Sequence, residues 1–138
     1  MKSIVILFLF LSFGLSSPAQ TCPIPISLKG KMINAVNLGK QCGDLKLASV
    51  IEFEIIEFSD NSYQQKTIGI ILRCPEMYSE AYGKNYFEPN HVYEIMVEKE
   101  IEGSKSDFTY DIQNTEALKK YTAAAKYWAL PGNIMKIE

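Results

Sequence analysis

The chain has one histidine, one tryptophan and three cysteines, no surplus of positive charge, and no second long apolar run after its opening segment. Each shortage removes a class of function. With 14 basic side chains against 16 acidic ones the formal charge is −2, which argues against a nucleic-acid binder, because such a protein must neutralise phosphates with a basic surface. Attachment to an anionic membrane surface is disfavoured for the same reason. A Ser/His/Asp or Cys/His nucleophilic site would have to be built around His91, the lone histidine. That residue follows Pro89 and Asn90 in a turn, where a side chain is normally solvated. No G-x-S-x-G, P-loop, H-E-x-x-H or calcium-loop pattern occurs. The reading is therefore of a protein that is not an enzyme and carries no cofactor.

What is present begins with an export signal. Lys2 supplies a positive start, residues 4–11 form an unbroken apolar run extended by Phe13 and Leu15, and Ser17 and Ala19 place small residues before a cleavage site. The apolar core is well short of the roughly 20 residues that span a bilayer. Gln20 and Thr21 stand where a lipoprotein signal wants small residues before Cys22. The sequence thus predicts a signal peptide over 1–19 and one domain over 20–138, secreted or periplasmic and not membrane-bound once the signal is removed. Cleavage leaves 119 residues with 13 basic and 16 acidic side chains, enough for one modest core.

Cys22, Cys42 and Cys74 then lie in a compartment where disulfides persist, and an odd number permits one bridge and one leftover thiol. A zinc site drawn from these cysteines and His91 is disfavoured, since separations of 20, 32 and 17 residues contain no C-x-x-C pair.

Alternation with the two-residue period of strands recurs along the domain. In ISLKGKMINAV, Ile26, Leu28, Gly30 and Met32 share one face and Lys29 and Lys31 the other. SVIEFEIIEF turns Phe53 and Ile55 inward and Glu52 and Glu54 outward, then slips at Ile56 and Glu57, as a β-bulge would. TIGIILRC aligns Ile68, Ile70, Leu72 and Cys74. PEMYSEAYG reads as two helical turns between Pro75 and Gly83. HVYEIMVEK turns Tyr93, Ile95 and Val97 inward, with Glu94 and Glu98 outward, and DFTYDIQ alternates as a fifth strand. From Asn114, Leu118, Tyr121, Ala125 and Trp128 recur at helical spacing up to Pro131 and Gly132, predicting an amphipathic helix that buries Trp128, with NIMKIE as a strand-like tail. Lys29 and Lys31 want acids on both sides, which places the first strand between the second and the fourth. The expected fold is mainly β: a five-stranded OB-like Greek-key barrel with a short helix between strands 3 and 4 and a C-terminal amphipathic helix.

Residues 29–97, through GKMINAV, VIEFEIIEF, IGIILRC and YFEPNHVYEIMV, resemble the netrin-like branch of the OB barrels, which includes the tissue inhibitors of metalloproteinases. Gly30, Cys74, Phe87 and Tyr93 occupy that family's glycine, cysteine and aromatic positions. The resemblance implies an inhibitor-like role and a bridge from an N-terminal cysteine to the one after strand 3, here Cys22 to Cys74. In those inhibitors an N-terminal cysteine chelates the target's zinc through its free amine. Here the expected terminus is Gln20, with Cys22 third, so that role does not transfer.

The expected function is an exported binding module for an unknown protein or small ligand. Its site is expected on loops 37–46 and 100–106, with Asn37, Lys40, Glu102 and Lys105 on the surface, together with Tyr86 from the aromatic group Tyr78, Tyr82, Tyr86, Phe87 and Tyr93. Most of that group reads as core plugging the barrel end. The alternative is a small exported hydrolase or thiol-redox protein using Cys22 or the acid runs Glu52, Glu54, Glu57 and Glu94, Glu98, Glu100, Glu102. In the five-strand reading, strands 1 and 3 run the same way, so Cys42 and Cys74 fall at one barrel end and form the expected disulfide, with Cys22–Cys74 as its rival. The first prediction concerns processing: secreted material should have an intact mass beginning at Gln20, and a mass retaining residues 1–19 or a lipid on Cys22 refutes it.

Overall fold

The computed structural model describes residues 24–34, 42, 47–100, 110–122 and 125–137. The elements run β1 (Ile26–Met32), β2 (Leu47–Phe58), β3 (Thr67–Arg73), α1 (Pro75–Tyr82), β4 (Val92–Lys99), β5 (Asp111–Gln113), α2 (Thr115–Thr122) and β6 (Tyr127–Lys136). The sheet order β1-β4-β6-β3-β2 is closed by pairing between β1 and β2, giving a five-stranded barrel, and β5 adds to β2 from outside. No helix among the described residues is long and apolar enough to cross a membrane.

The inward sets are those the alternation marks. Leu28, Met32, Phe53, Ile68, Ile70, Leu72, Tyr93, Ile95 and Val97 fill the barrel, joined by Tyr127, Ala129 and Ile134 from β6. β1 lies between β2 and β4, with Lys29 opposite both Glu57 and Glu94, and Lys31 opposite Glu54. The slip in β2 is a bulge: the β1–β2 register moves from Lys29↔Glu57 to Gly30↔Ile55, so Ile56 is skipped and turns outward at 49% exposure. Gly30 sits beside that bulge because a Cβ there would come within 3.0 Å of Phe53 Cβ and 3.2 Å of the Glu54 carbonyl oxygen. The α1 boundaries also agree, with Pro75 in its first turn and Gly83 closing it at φ 103.

Three expectations change. The fifth barrel strand is β6, not DFTYDIQ; of that segment's described residues Asp111–Gln113 form a strand, parallel to the start of β2 and outside the barrel. Correspondingly, α2 ends at Thr122 and Trp128 lies on a strand. The helical spacing persisted by coincidence: Trp128 on the outer face of β6 and Leu118 on α2 pack against the same second cluster of Ala48, Val50, Ile71 and Ala117. Tyr127 and Ala129 meanwhile alternate into the barrel. Pro131 and Gly132 do not end a helix; they form an irregularity within β6, where pairing to β4 jumps from Ile95↔Ile134 to Val97↔Ala129 and Gly132 takes φ 72.

The third change is Glu52, expected to be solvated but only 7% exposed. α2 covers it. Gly69 makes room for this packing, since a Cβ there would lie 2.5 Å from the Tyr121 ring. The carboxylate accepts hydrogen bonds from Lys120 Nζ at 2.9 Å, Tyr121 Oη at 2.8 Å and Asn34 Nδ2. Burial alone would raise its pKa, but the bonds from Lys120, Tyr121 and Asn34 outweigh it and hold the carboxyl below its ordinary value of 4.5. A carboxyl depressed in the folded state contributes stability that is fully present above its unfolded pKa and lost as pH falls through the folded one. Glu52→Gln is therefore expected to cost roughly 1–2 kcal/mol at pH 7 and to flatten the acid side of the stability curve below about pH 4.5. Urea melts at a series of pH values measure both. A variant as stable as the parent at pH 7 and equally acid-sensitive refutes the clamp.

Candidate functional site

The short segment after β3 organises the most distinctive surface. Cys74 caps α1 in the left-handed region at φ 45, turning the chain sharply into a helix whose Tyr78 packs on the barrel core and reaches β6. Behind α1, the loop to β4 is held by a buried phenol. Tyr93 Oη donates to the Tyr86 carbonyl oxygen at 2.6 Å and accepts from the Glu88 amide at 2.8 Å. Tyr86 Oη donates to the Ile134 carbonyl oxygen at 2.6 Å, while burial pushes its pKa above the ordinary phenol value.

The aromatic group therefore divides. Phe87 and Tyr93 are core, Tyr78 and Tyr86 are half-buried against it, and Tyr82 is 62% exposed. Tyr82 and Tyr86 stack at 4.8 Å, and Tyr78 stacks on Tyr86 at 6.1 Å. The Tyr78 hydroxyl accepts from the Gly132 amide at 3.1 Å, tying α1 to the irregular turn of β6. A cleft of about 370 Å³ lies between these elements, with Met77, Tyr78 and Tyr82 on one side and Tyr110 and Pro131 on the other. Its depth is lined by Leu72 and Ala129, and Met77 at its rim is 60% exposed.

Arg73, the chain's sole arginine, also lines this cleft. Its guanidinium lies 4.8 Å from the Trp128 ring centre and 5.7 Å from that of Tyr110, and it bonds Glu98 at 3.0 Å. Stacking of this kind favours guanidinium, which is weakly hydrated, over a lysine ammonium. Trp128 in turn donates from Nε1 to Glu100 at 2.8 Å, and Lys126 bonds the same carboxylate at 3.0 Å. Glu98 and Glu100 of the acid runs are thus occupied as ion-pair partners.

Of the sequence-derived surface residues, Tyr86 stands beside the cleft, while Asn37, Lys40, Glu102 and Lys105 lie outside the described residues. His91 precedes β4, half-exposed, with its ring 3.5 Å from Glu88 and 3.3 Å from the Pro89 carbonyl oxygen. A second depression of about 390 Å³ is lined by Lys29, Glu57 and Glu94, whose charges are already matched across the strands. The cleft itself escaped sequence reasoning because most of β6 was assigned to a helix; the density of tyrosines from Tyr78 to Tyr93, read mostly as core with Tyr86 at the surface, was its one legible trace.

The disulfide joins Cys42 and Cys74, with Cα atoms 5.6 Å apart, as the same-end argument expects. The rival Cys22–Cys74 bridge implied by the netrin-like pattern is not the one formed. Cys22 lies outside the described residues. Beside the bridge, Glu76 is 7% exposed; its Oε1 accepts from the Cys42 amide at 2.5 Å. Cys42, Cys74 and Glu76 are the one grouping of at least three potential metal donors among the described residues, and His91 is not in it. With the two sulfurs bonded to each other, that set is not a metal centre as it stands.

Comparison with known families, characterised proteins and solved structures finds no match to the chain. Peptide mapping of unreduced, thiol-blocked protein is expected to recover Cys42 linked to Cys74, and replacing both with serine to cost roughly 3–4 kcal/mol for a loop of 32 residues. A Cys22–Cys74 peptide, or three alkylated thiols, refutes the assignment.

Proposed function

We propose that the chain is an exported binding module whose cleft between α1 and β6 takes an apolar or aromatic side chain from a protein partner. The observation carrying this reading is the pairing of an apolar cleft with two large exposed side chains at its rim, Met77 and Tyr82. Exposed apolar rims around a preformed cleft are a hallmark of interaction sites, and tyrosine gives large contact area at low entropic cost. Rigidity supports it further, because Tyr78, Tyr86 and Arg73 are each held by a hydrogen bond or ion pair before any partner arrives. The netrin-like resemblance points the same way, toward an inhibitor-like interaction, although the bridge formed here departs from that family's pattern. Export rests on the opening segment and fits a domain carrying a disulfide.

The test is capture by tagged mature protein under non-reducing conditions, run in parallel with a folded Tyr82→Glu variant. A partner retained by the parent is expected to be weakened by at least about tenfold in the variant, the loss typical of an anchor residue. Retention unchanged by Tyr82→Glu but abolished by changes in loops 37–46 or 100–106 moves the site to those loops and refutes the cleft.

A further inference from the structure

We propose that the Cys42–Cys74 disulfide is a thiol-exchange site, in which an incoming thiol attacks Cys74 Sγ at the cleft and the Glu76 carboxyl carries its proton to Cys42 Sγ. This goes beyond the docking reading and stands if that reading fails.

Three observations converge. First, Cys74 lines the cleft between α1 and β6, so one sulfur-bearing residue of the bridge borders an open approach. Second, Cys74 is the N-cap of the eight-residue helix α1 and makes no side-chain capping bond. A thiolate released there faces the positive end of the helix, the setting that stabilises reactive cysteines. Third, the potential donor atoms of Cys42, Cys74 and Glu76 lie within 4.8 Å of one another. Among the described residues, buried Glu76 Oε2 has no hydrogen-bond partner. Its sister oxygen is already engaged by the Cys42 amide. A purely structural bridge needs no carboxyl within 4.8 Å of its sulfurs, and burying an unsatisfied oxygen is costly. An oxygen that accepts and returns a proton accounts for the arrangement.

The two sulfurs are not equivalent, and their surroundings set the direction. Cys42 Sγ is 3.5 Å from the Leu47 carbonyl oxygen, an acceptor for the hydrogen of a Cys42 thiol. Cys74 borders the cleft and Cys42 does not, so Cys74 is the site of attack and Cys42 the leaving group, its thiol once formed finding the Leu47 acceptor. The Glu76 carboxylate takes the S–H proton of the incoming thiol, and the resulting thiolate forms a bond to Cys74 Sγ. The Cys42–Cys74 bond breaks with its electron pair on Cys42 Sγ, which recovers the proton from Glu76. The products are a mixed disulfide on Cys74 and a neutral Cys42 thiol. A second thiol on the same substrate gives its proton to the Glu76 carboxylate and attacks the substrate sulfur, and the mixed disulfide breaks with its electron pair on Cys74 Sγ, which takes up that proton. One dithiol is thereby oxidised by two electrons and the protein disulfide reduced by two, in the direction set by their relative potentials. The substrate class is a small thiol or a cysteine-bearing polypeptide.

The experiment uses the mature chain with Cys22→Ser, so that only the bridge reacts, and reduced glutathione as the probe. Samples are acid-quenched and thiol-blocked, the modified cysteine is located by peptide mass, and near-ultraviolet circular dichroism follows the fold. The expected result is a glutathione adduct on Cys74, formed while the aromatic signal of the barrel persists. Glu76→Gln is expected to slow adduct formation by roughly 100-fold, with Glu76→Asp recovering part of the rate. An adduct on Cys42, reduction only at the rate of global unfolding, or an unchanged rate in Glu76→Gln each overturns the proposal. Should Glu76→Gln not fold, the adduct's position and the denaturant dependence of the rate in the Cys22→Ser protein decide it alone.

Discussion

Everything in this domain depends on β1 being hydrogen-bonded along both edges. Residues 28–31 pair with β2 on one side and β4 on the other, and that double pairing turns a curved sheet into a barrel. It works because β2 bends. Ala48 and Ser49 run between β3 and β5, Phe53 and Glu54 between β3 and β1, and the rest of its C-terminal end continues along β1. The bend is made where Ile56 is left unpaired and Gly30 lets the backbones close in. The charges follow the same constraint, since a lysine-bearing strand between two acid-bearing ones leaves no like charges directly opposed at Lys29.

Much of this was legible because a barrel strand writes its orientation into every second residue. Leu28, Phe53, Ile70 and Tyr93 show the pattern cleanly, and even the bulge at Ile56 appears as a break in phase. The pattern failed where an outward residue met a second core. Trp128 lies outside the barrel yet packs on the cluster that α2 covers, so its spacing from Leu118 imitates a helix. Glu52 failed for the related reason that an outward position on a strand is solvated only if nothing lies on it. Alternation distinguishes the two faces of a strand but carries no information about the second layer.

The cleft shows the same limit at the level of function. Its α1 side was visible as an unusual density of tyrosines, whereas its other side comes from Tyr110 and the Pro131–Gly132 irregularity, far away in sequence. No local pattern joins them. The bridge was easier, because strand direction alone placed Cys42 and Cys74 at one end. What strand direction did not show is the buried carboxyl of Glu76, whose position follows from the tight turn at Cys74.

The place of β6 in the barrel also bears on the order of events in folding. It is the last of the described strands, yet it sits between β4 and β3, pairing in parallel with Ile70 and Ile71 through Tyr127 and Trp128. The wall between β3 and β4 therefore stays open until residues 127–136 have been synthesised, and no shorter nascent chain can complete the ladder. Parallel pairing across so long a stretch of chain is entropically slow to establish, which places folding in the range of about milliseconds to seconds typical of β-barrels. A barrel that cannot close before β6 arrives leaves its β3 and β4 edges unpaired, and the chain between them extensible, for nearly the whole of synthesis.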